Sequence, residues 1–211
     1  MCWNARASFL SFAAGLLVCV VTSAVVAATP VRLLCAFCAF LLLVQLAEGL
    51  TWTDQACGGL NRLSTRATLA LTALQPAALF VLFVGWQGDR LSKLAIGAAS
   101  LVLLTYLGFL LVTLTWQPAP PECTQPLPNC EHLPQGWWQG SAAAVYLAAA
   151  FAMLLLVVRP LPLAVFTALC FGGTFLWSML LYKCGAPSLW CWLVVALPPV
   201  FATFHNLSGA A

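Results

Sequence analysis

Long apolar runs alternate with short polar breaks along the whole chain, without the period-two alternation of half-buried strands. A membrane-spanning helix needs about 20 mainly apolar residues, and seven stretches approach that length: Ser8–Ala28, Val31–Trp52, Ala67–Trp86, Leu94–Thr115, Gly140–Val158, Leu161–Tyr182 and Ser188–Phe204. Each break has a local cause. Thr29-Pro30 ends the first run because proline donates no backbone hydrogen bond, and Asp54 to Arg66 reads as a polar link containing Gly58-Gly59. Gly88-Asp89-Arg90, Arg159-Pro160-Leu161-Pro162 and Gly185-Ala186-Pro187 make the later turns, with Ser188 suited to cap the last helix. The pattern predicts one all-α domain over residues 1–211, a polytopic membrane bundle of seven transmembrane helices with a Pro-rich extramembrane loop. That loop, Trp116 to Gln139, carries six prolines and reads as stiff and extended.

Composition sharpens this picture. Hydrophobic residues make up 63% of the 211 and charged residues 6%, against about 25% charged in a soluble domain. So few charges cannot solvate a globule of this size, so the expected partner is a lipid bilayer, with other membrane subunits or a second copy as further partners. A net charge of +3, scattered along the chain, excludes nucleic acid as a partner. The first run, followed by Thr22-Ser23-Ala24 and Val26-Ala27-Ala28, also has the look of a signal peptide; its length favours a retained span.

Seven spans place Arg6, Arg62, Arg66 and Lys183 on the N-terminal side and Arg32, Arg90, Lys93 and Arg159 opposite, a tie under the positive-inside rule. The acidic, cysteine-bearing loop favours an outer or lumenal N-terminal side, in a membrane whose organelle the residues do not name. On that same side fall Cys2, Cys57, Cys123, Cys130, Cys184 and Cys191, six candidates for disulfides in an oxidising compartment. Cys123 and Cys130 close a short loop and are the easiest pair, while Cys2, Cys57, Cys184 and Cys191 could pair in several ways. Trp3, Trp52, Trp137, Trp138, Trp190 and Trp192 gather there too, and read as interface anchors.

The polar residues inside the spans carry the functional expectation. Gln45, Glu48 and Trp52 share one helical face, and a carboxylate within a span faces a partner or a cavity. Arg6, Arg62 and Lys183 are the available ion-pair partners. Thr68, Thr72 and Gln75 form a second polar face, ended by Pro76, which frees the Thr72 carbonyl and should kink the helix. Ser8, Ser11, Gly15, Cys19 and Thr22 form a stripe of small residues, and Gly172-Gly173 a second small patch; both read as close helix packing.

No Ser-His-Asp set, phosphate loop or carboxylate pair at one depth is present, so an enzyme is the minority reading. Cys123, Cys130 and His132 have metal-ligand chemistry without the spacing of a structural zinc site, and no cofactor or metal is indicated. The expected function is a small-solute or ion transporter or channel with a polar vestibule of Gln45, Glu48, Asn61, Gln75 and Lys183. The alternative is a non-catalytic accessory subunit of a larger membrane complex; the third reading is a thiol–disulfide protein.

The opening MCWNARAS, the segment QLAEGLTW followed by Cys57 and Asn61, the LQP of Leu74–Pro76 and SLWCW at Ser188–Trp192 resemble a family of small multipass membrane proteins that begin Met-Cys-Trp-Ser, found in algae, bacteria and large DNA viruses of algae. Asn4 stands where that family has serine. The resemblance implies the multipass architecture and an intact N-terminus, and it implies that Cys2, Trp3, Glu48, Cys57, Asn61, Gln75, Pro76, Trp190 and Cys191 matter together.

Overall fold

The computed structural model describes residues 4–116, 122–125, 141–181 and 193–208. The described residues are helical throughout, joined by short turns, with no strand among them. Eight α-helices follow in order: α1 Ala5–Val25, α2 Thr29–Thr53, α3 Gly59–Ala73, α4 Gln75–Gln87, α5 Lys93–Trp116, α6 Ser141–Val157, α7 Leu161–Leu181 and α8 Leu197–Leu207. Gly88–Arg90 and Val194–Ala196 are 3₁₀ turns.

Four of these helices, α1, α2, α5 and α7, are long and apolar enough to cross a membrane, or five spans if the bent pair α3–α4 counts as one. Among the described residues seven spans are not reached, and residues 188–192 of the expected seventh stretch lie outside them. The 17 residues of α6 extend only about 26 Å, short of a hydrocarbon core of about 30 Å, and α8 has 11 residues. The third span also differs from its expected bounds. Residues 59–66, read as part of a polar link, form the first two turns of α3, and a 51° bend divides α3 from α4.

Helix α2 is the axis of the bundle. Two thirds of its most apolar window is buried, 67%, against 28% in α1 and α7 and 17% in α5. It packs against α1, α3, α4 and α8, while α5 and α6 pair with each other and α6 leans on α4 and α7. The core therefore wraps α2 with Leu34, Leu41 and Leu42, closed by Leu79 and Phe83 of α4 and Phe201 of α8. Phe171 of α7 meets Phe37 edge-on with ring centroids 6.0 Å apart, and Phe201 at 5.8 Å. Interleaved rings of this kind fix helix rotation as well as burying area.

The α1–α2 contact is close because small residues allow it. The residues that α1 buries are Ser8, Ser11, Gly15, Cys19 and Thr22, the stripe read from the sequence. A Cβ added to Gly15 would lie 2.6 Å from Leu42, and one on Gly49 of α2 would lie 2.7 Å from Phe9. Each helix thus offers one glycine to a large side chain of the other. Of the second small patch only Gly172 has such a neighbour, Phe151 at 3.2 Å; Gly173 faces open space.

The bend between α3 and α4 follows from Pro76, which sits in the first turn of α4 and cannot bond to the Thr72 carbonyl. Two tyrosines from neighbouring helices hold it. Tyr106 of α5 donates its hydroxyl to the Ala73 carbonyl at 2.9 Å, and Tyr146 of α6 donates to Gln75 Oε1. Both rings are buried in one cluster with Ala149. A backbone carbonyl at the bend, that of Ala73, thus takes a donor from outside its own helix, as suits a low-dielectric setting.

Candidate functional site

A polar seam runs between α2 and α3. Its register is set where the Thr51 and Ser64 hydroxyls hydrogen-bond at 2.7 Å. The next polar positions along each helix, one and two turns from that contact, are Glu48 and Gln45 on α2 and Thr68 and Thr72 on α3. All of these side chains are buried; Gln45 is 0% exposed and Glu48 2%. Gln45 Nε2 donates to Glu48 Oε2 at 3.3 Å, an i,i+3 pair on one face of α2. The Thr72 hydroxyl bonds back to the Thr68 carbonyl at 2.8 Å. Beyond the bend, Gln75 ends the row: its Oε1 accepts from Tyr146, while its Nε2 is buried with no hydrogen-bond partner.

At the Thr51–Ser64 end the seam is closed by a knot centred on Asn61, which is 0% exposed. Its Nδ2 donates to the Asp54 carbonyl at 2.8 Å and the Thr124 carbonyl at 2.9 Å. Its Oδ1 accepts from the Thr124 backbone N–H at 2.9 Å and the Thr65 hydroxyl at 3.2 Å. A carboxamide offers two donors and two acceptor sites, so Asn61 is filled from within the chain. It was expected in a vestibule; it is found as the stitch that ties residues 122–125 to the start of α3.

Asp54 does the neighbouring work. Its carboxylate accepts from Gly58 N at 3.1 Å and Asn61 N at 3.0 Å, covering the exposed N–H groups at the positive end of α3. A Cβ on Gly58 would run into that carboxylate, so glycine is required there by space, not by its extended backbone.

The knot also decides the disulfide. Cys57 is bonded to Cys123, 66 residues away in sequence with Cα atoms 5.5 Å apart. This corrects the expected Cys123–Cys130 pair, and it removes Cys57 as a partner for Cys2, Cys184 or Cys191. The cause is the hydrogen bonding on either side. Thr124 is held by Asn61, and Gln125 Nε2 donates to the Gln55 carbonyl at 2.8 Å, so Cys123 is laid over the α2–α3 turn. Cys57 takes the left-handed region there, with φ 57°.

Arg6 and Arg62 are exposed, unlike Glu48, and Arg62 Nε donates to the Cys57 carbonyl at 3.2 Å. Lys183 lies outside the described residues, as do Cys2, Cys130, Cys184, Cys191, Trp3, Trp137, Trp138, Trp190 and Trp192. Trp52 is half-buried, and its indole N–H is buried without an acceptor. Cys19, Cys35, Cys38 and Cys170 are free thiols within helices. Among the described residues no group of three or more His, Cys, Asp or Glu side chains converges as a metal site would require.

The two tyrosines that pin the bend were not picked out from the sequence. Their signal was there: a hydroxyl in the middle of an otherwise apolar helix needs a partner on another helix.

Together these features define a class. Several long apolar helices around a polar seam are the build of a polytopic integral membrane protein. No family model, no curated protein and no solved structure matches the chain, so everything narrower than that class rests on its own residues.

Proposed function

We propose that the chain is a small-solute or ion transporter or channel whose polar path follows the α2–α3 seam. The observation that carries this reading is a buried carboxylate on the most buried helix, Glu48, together with the buried threonines of α3 and Gln75, whose amide nitrogen has no partner. Buried polar groups are costly in a membrane interior unless they are satisfied; an amide N–H left without an acceptor suits donation to a passing solute, and the Glu48 carboxylate suits a cation or proton. Gln45 orients Glu48, and Lys183 is kept as its proposed charge partner. Asn61 enters as the lock on the outer end, not as a lining residue.

The Cys57–Cys123 disulfide supports placing the N-terminal side in an oxidising, outer or lumenal compartment. It sits within a hydrogen-bonded knot, which suits a permanent crosslink better than a redox cycle. The accessory-subunit reading has no observation of its own, because the exposed apolar faces of α5 and α7 suit lipid as well as a neighbouring chain.

The test is flux through vesicles containing only this chain, followed with a trapped pH dye for protons and with cation-selective electrodes for sodium and potassium. Wild-type protein should conduct, and Glu48→Gln should abolish the flux at unchanged expression. Undiminished flux in that variant removes Glu48 from the path. A silent wild type turns the reading toward the accessory subunit.

A further inference from the structure

The end of the bundle away from the knot holds a second polar feature, independent of the seam. The α1–α2 turn at Val25–Pro30, the end of α4, the α6–α7 turn and the end of α8 surround a cavity of about 690 Å³. Its polar lining is Gln87, Arg90, Arg159, His205, Asn206 and Thr29, with no carboxylate among the described residues that line it.

One residue there is unexplained by packing. Gln87 is 3% exposed, and both its Oε1 and its Nε2 lack hydrogen-bond partners. His205 adds a buried Nδ1 in the same condition. A buried amide with neither end satisfied is rare, because each orphaned group keeps its full desolvation cost. Arg159 is partly engaged: its NH1 donates to the Leu155 and Val158 carbonyls at 3.0 and 2.8 Å, covering the end of α6. The rest of its guanidinium donors remain.

We infer that this cavity binds a phosphate group that carries a hydroxyl beside it. Arg90 and Arg159 supply the positive charge that a phosphate requires. Gln87 supplies what a bare anion would not use: once its side chain turns into the cavity, Nε2 can donate to a phosphate oxygen and Oε1 can accept from a hydroxyl. The cavity opens at the ends of spanning helices, the depth at which headgroup phosphates lie. Two sources share this chemistry, a glycerol-type phospholipid headgroup and a free phosphate ester.

Binding would be read on the full chain in detergent, by native mass spectrometry and by the shift of its thermal midpoint. The probes are phosphatidylglycerol, phosphatidylcholine, and water-soluble glycerol phosphate. Phosphatidylglycerol should bind and raise the midpoint, and phosphatidylcholine, with no headgroup hydroxyl and no net charge, should do neither. Retention of phosphatidylglycerol alone identifies a lipid source; equal retention of glycerol phosphate identifies a soluble ester. Arg90→Gln, at an exposed position that leaves the fold intact, should weaken binding about tenfold. Gln87→Leu should weaken it by a similar factor without lowering the midpoint of the unliganded protein. A chain that retains neither phosphatidylglycerol nor glycerol phosphate, or that binds undiminished in both variants, overturns the assignment.

Discussion

The two ends of this bundle each bury a carboxamide, and they treat it in opposite ways. Asn61 is 0% exposed and has every hydrogen-bonding site filled by its own chain. Gln87 is 3% exposed and has none filled. Burial is the same in both; satisfaction is not. A filled amide rigidifies what surrounds it, so the Asn61 end is built to stay closed. An unfilled amide is tolerated where something else supplies the partners, so the Gln87 end is built to receive. The contrast separates structural from receptive polarity in a chain with too few charges for that distinction to be read from electrostatics.

The largest effect expected from testing this contrast is at the closed end. The Cys57–Cys123 bond closes a loop of 66 residues, for which the loop-entropy relation gives about 4 kcal/mol. Double replacement by serine should lower stability by up to that amount, measured as the shift of a denaturant midpoint in detergent. Residues 122–125 should then become cleavable by protease at the α2–α3 turn. An unchanged midpoint and unchanged cleavage would mean that the hydrogen bonds alone hold the knot.

Next in size is Asn61→Ala. It orphans the Thr124 N–H and the Asp54 and Thr124 carbonyls together, and each buried group left unmet costs about 1–3 kcal/mol. Partial rescue by water at this end of the bundle brings the expected loss to about 3 kcal/mol. Thermal unfolding of the variant with the disulfide intact checks this. A loss under about 0.5 kcal/mol, the size of an ordinary surface substitution, would reduce Asn61 to one contact among many.

How far the sequence discloses this arrangement depends on whether a signal is local. The α1 stripe is legible because small residues at helical spacing mark a face without reference to anything else. The bend at Pro76 is legible for the same reason, since the missing N–H is a property of one residue. The first two turns of α3 are misread because Gly58, Gly59, Arg62 and Arg66 look like a link by polarity. The helical period of Asn61, Ser64, Thr65, Thr68 and Thr72 marks one buried face and is the signal to weigh more heavily. The disulfide defeats a local rule: short loops close most easily, yet Cys123 pairs across 66 residues because Asn61 fixes Thr124 beside it. The cavity at the other end is assembled from two turns and two helix ends far apart in the chain, so its two arginines form a set only once the topology is known.

The smallest expected effect, and the one that sharpens the contrast most, is the stability of Gln87→Leu. The same kind of change that should cost the Asn61 end about 3 kcal/mol should cost the Gln87 end nothing. Leucine is close to glutamine in volume, so no large cavity forms, and no partner is orphaned because the Gln87 amide has none. What disappears is the desolvation cost of two unmet polar groups, so the unliganded variant should be as stable as wild type or more stable by about 1 kcal/mol. Thermal unfolding of delipidated protein is the measurement, because a bound ligand stabilises the wild type by mass action and would hide the gain. A marked loss of stability on delipidated protein would show that Gln87 holds the fold after all, and the difference between the two ends would collapse to two structural amides.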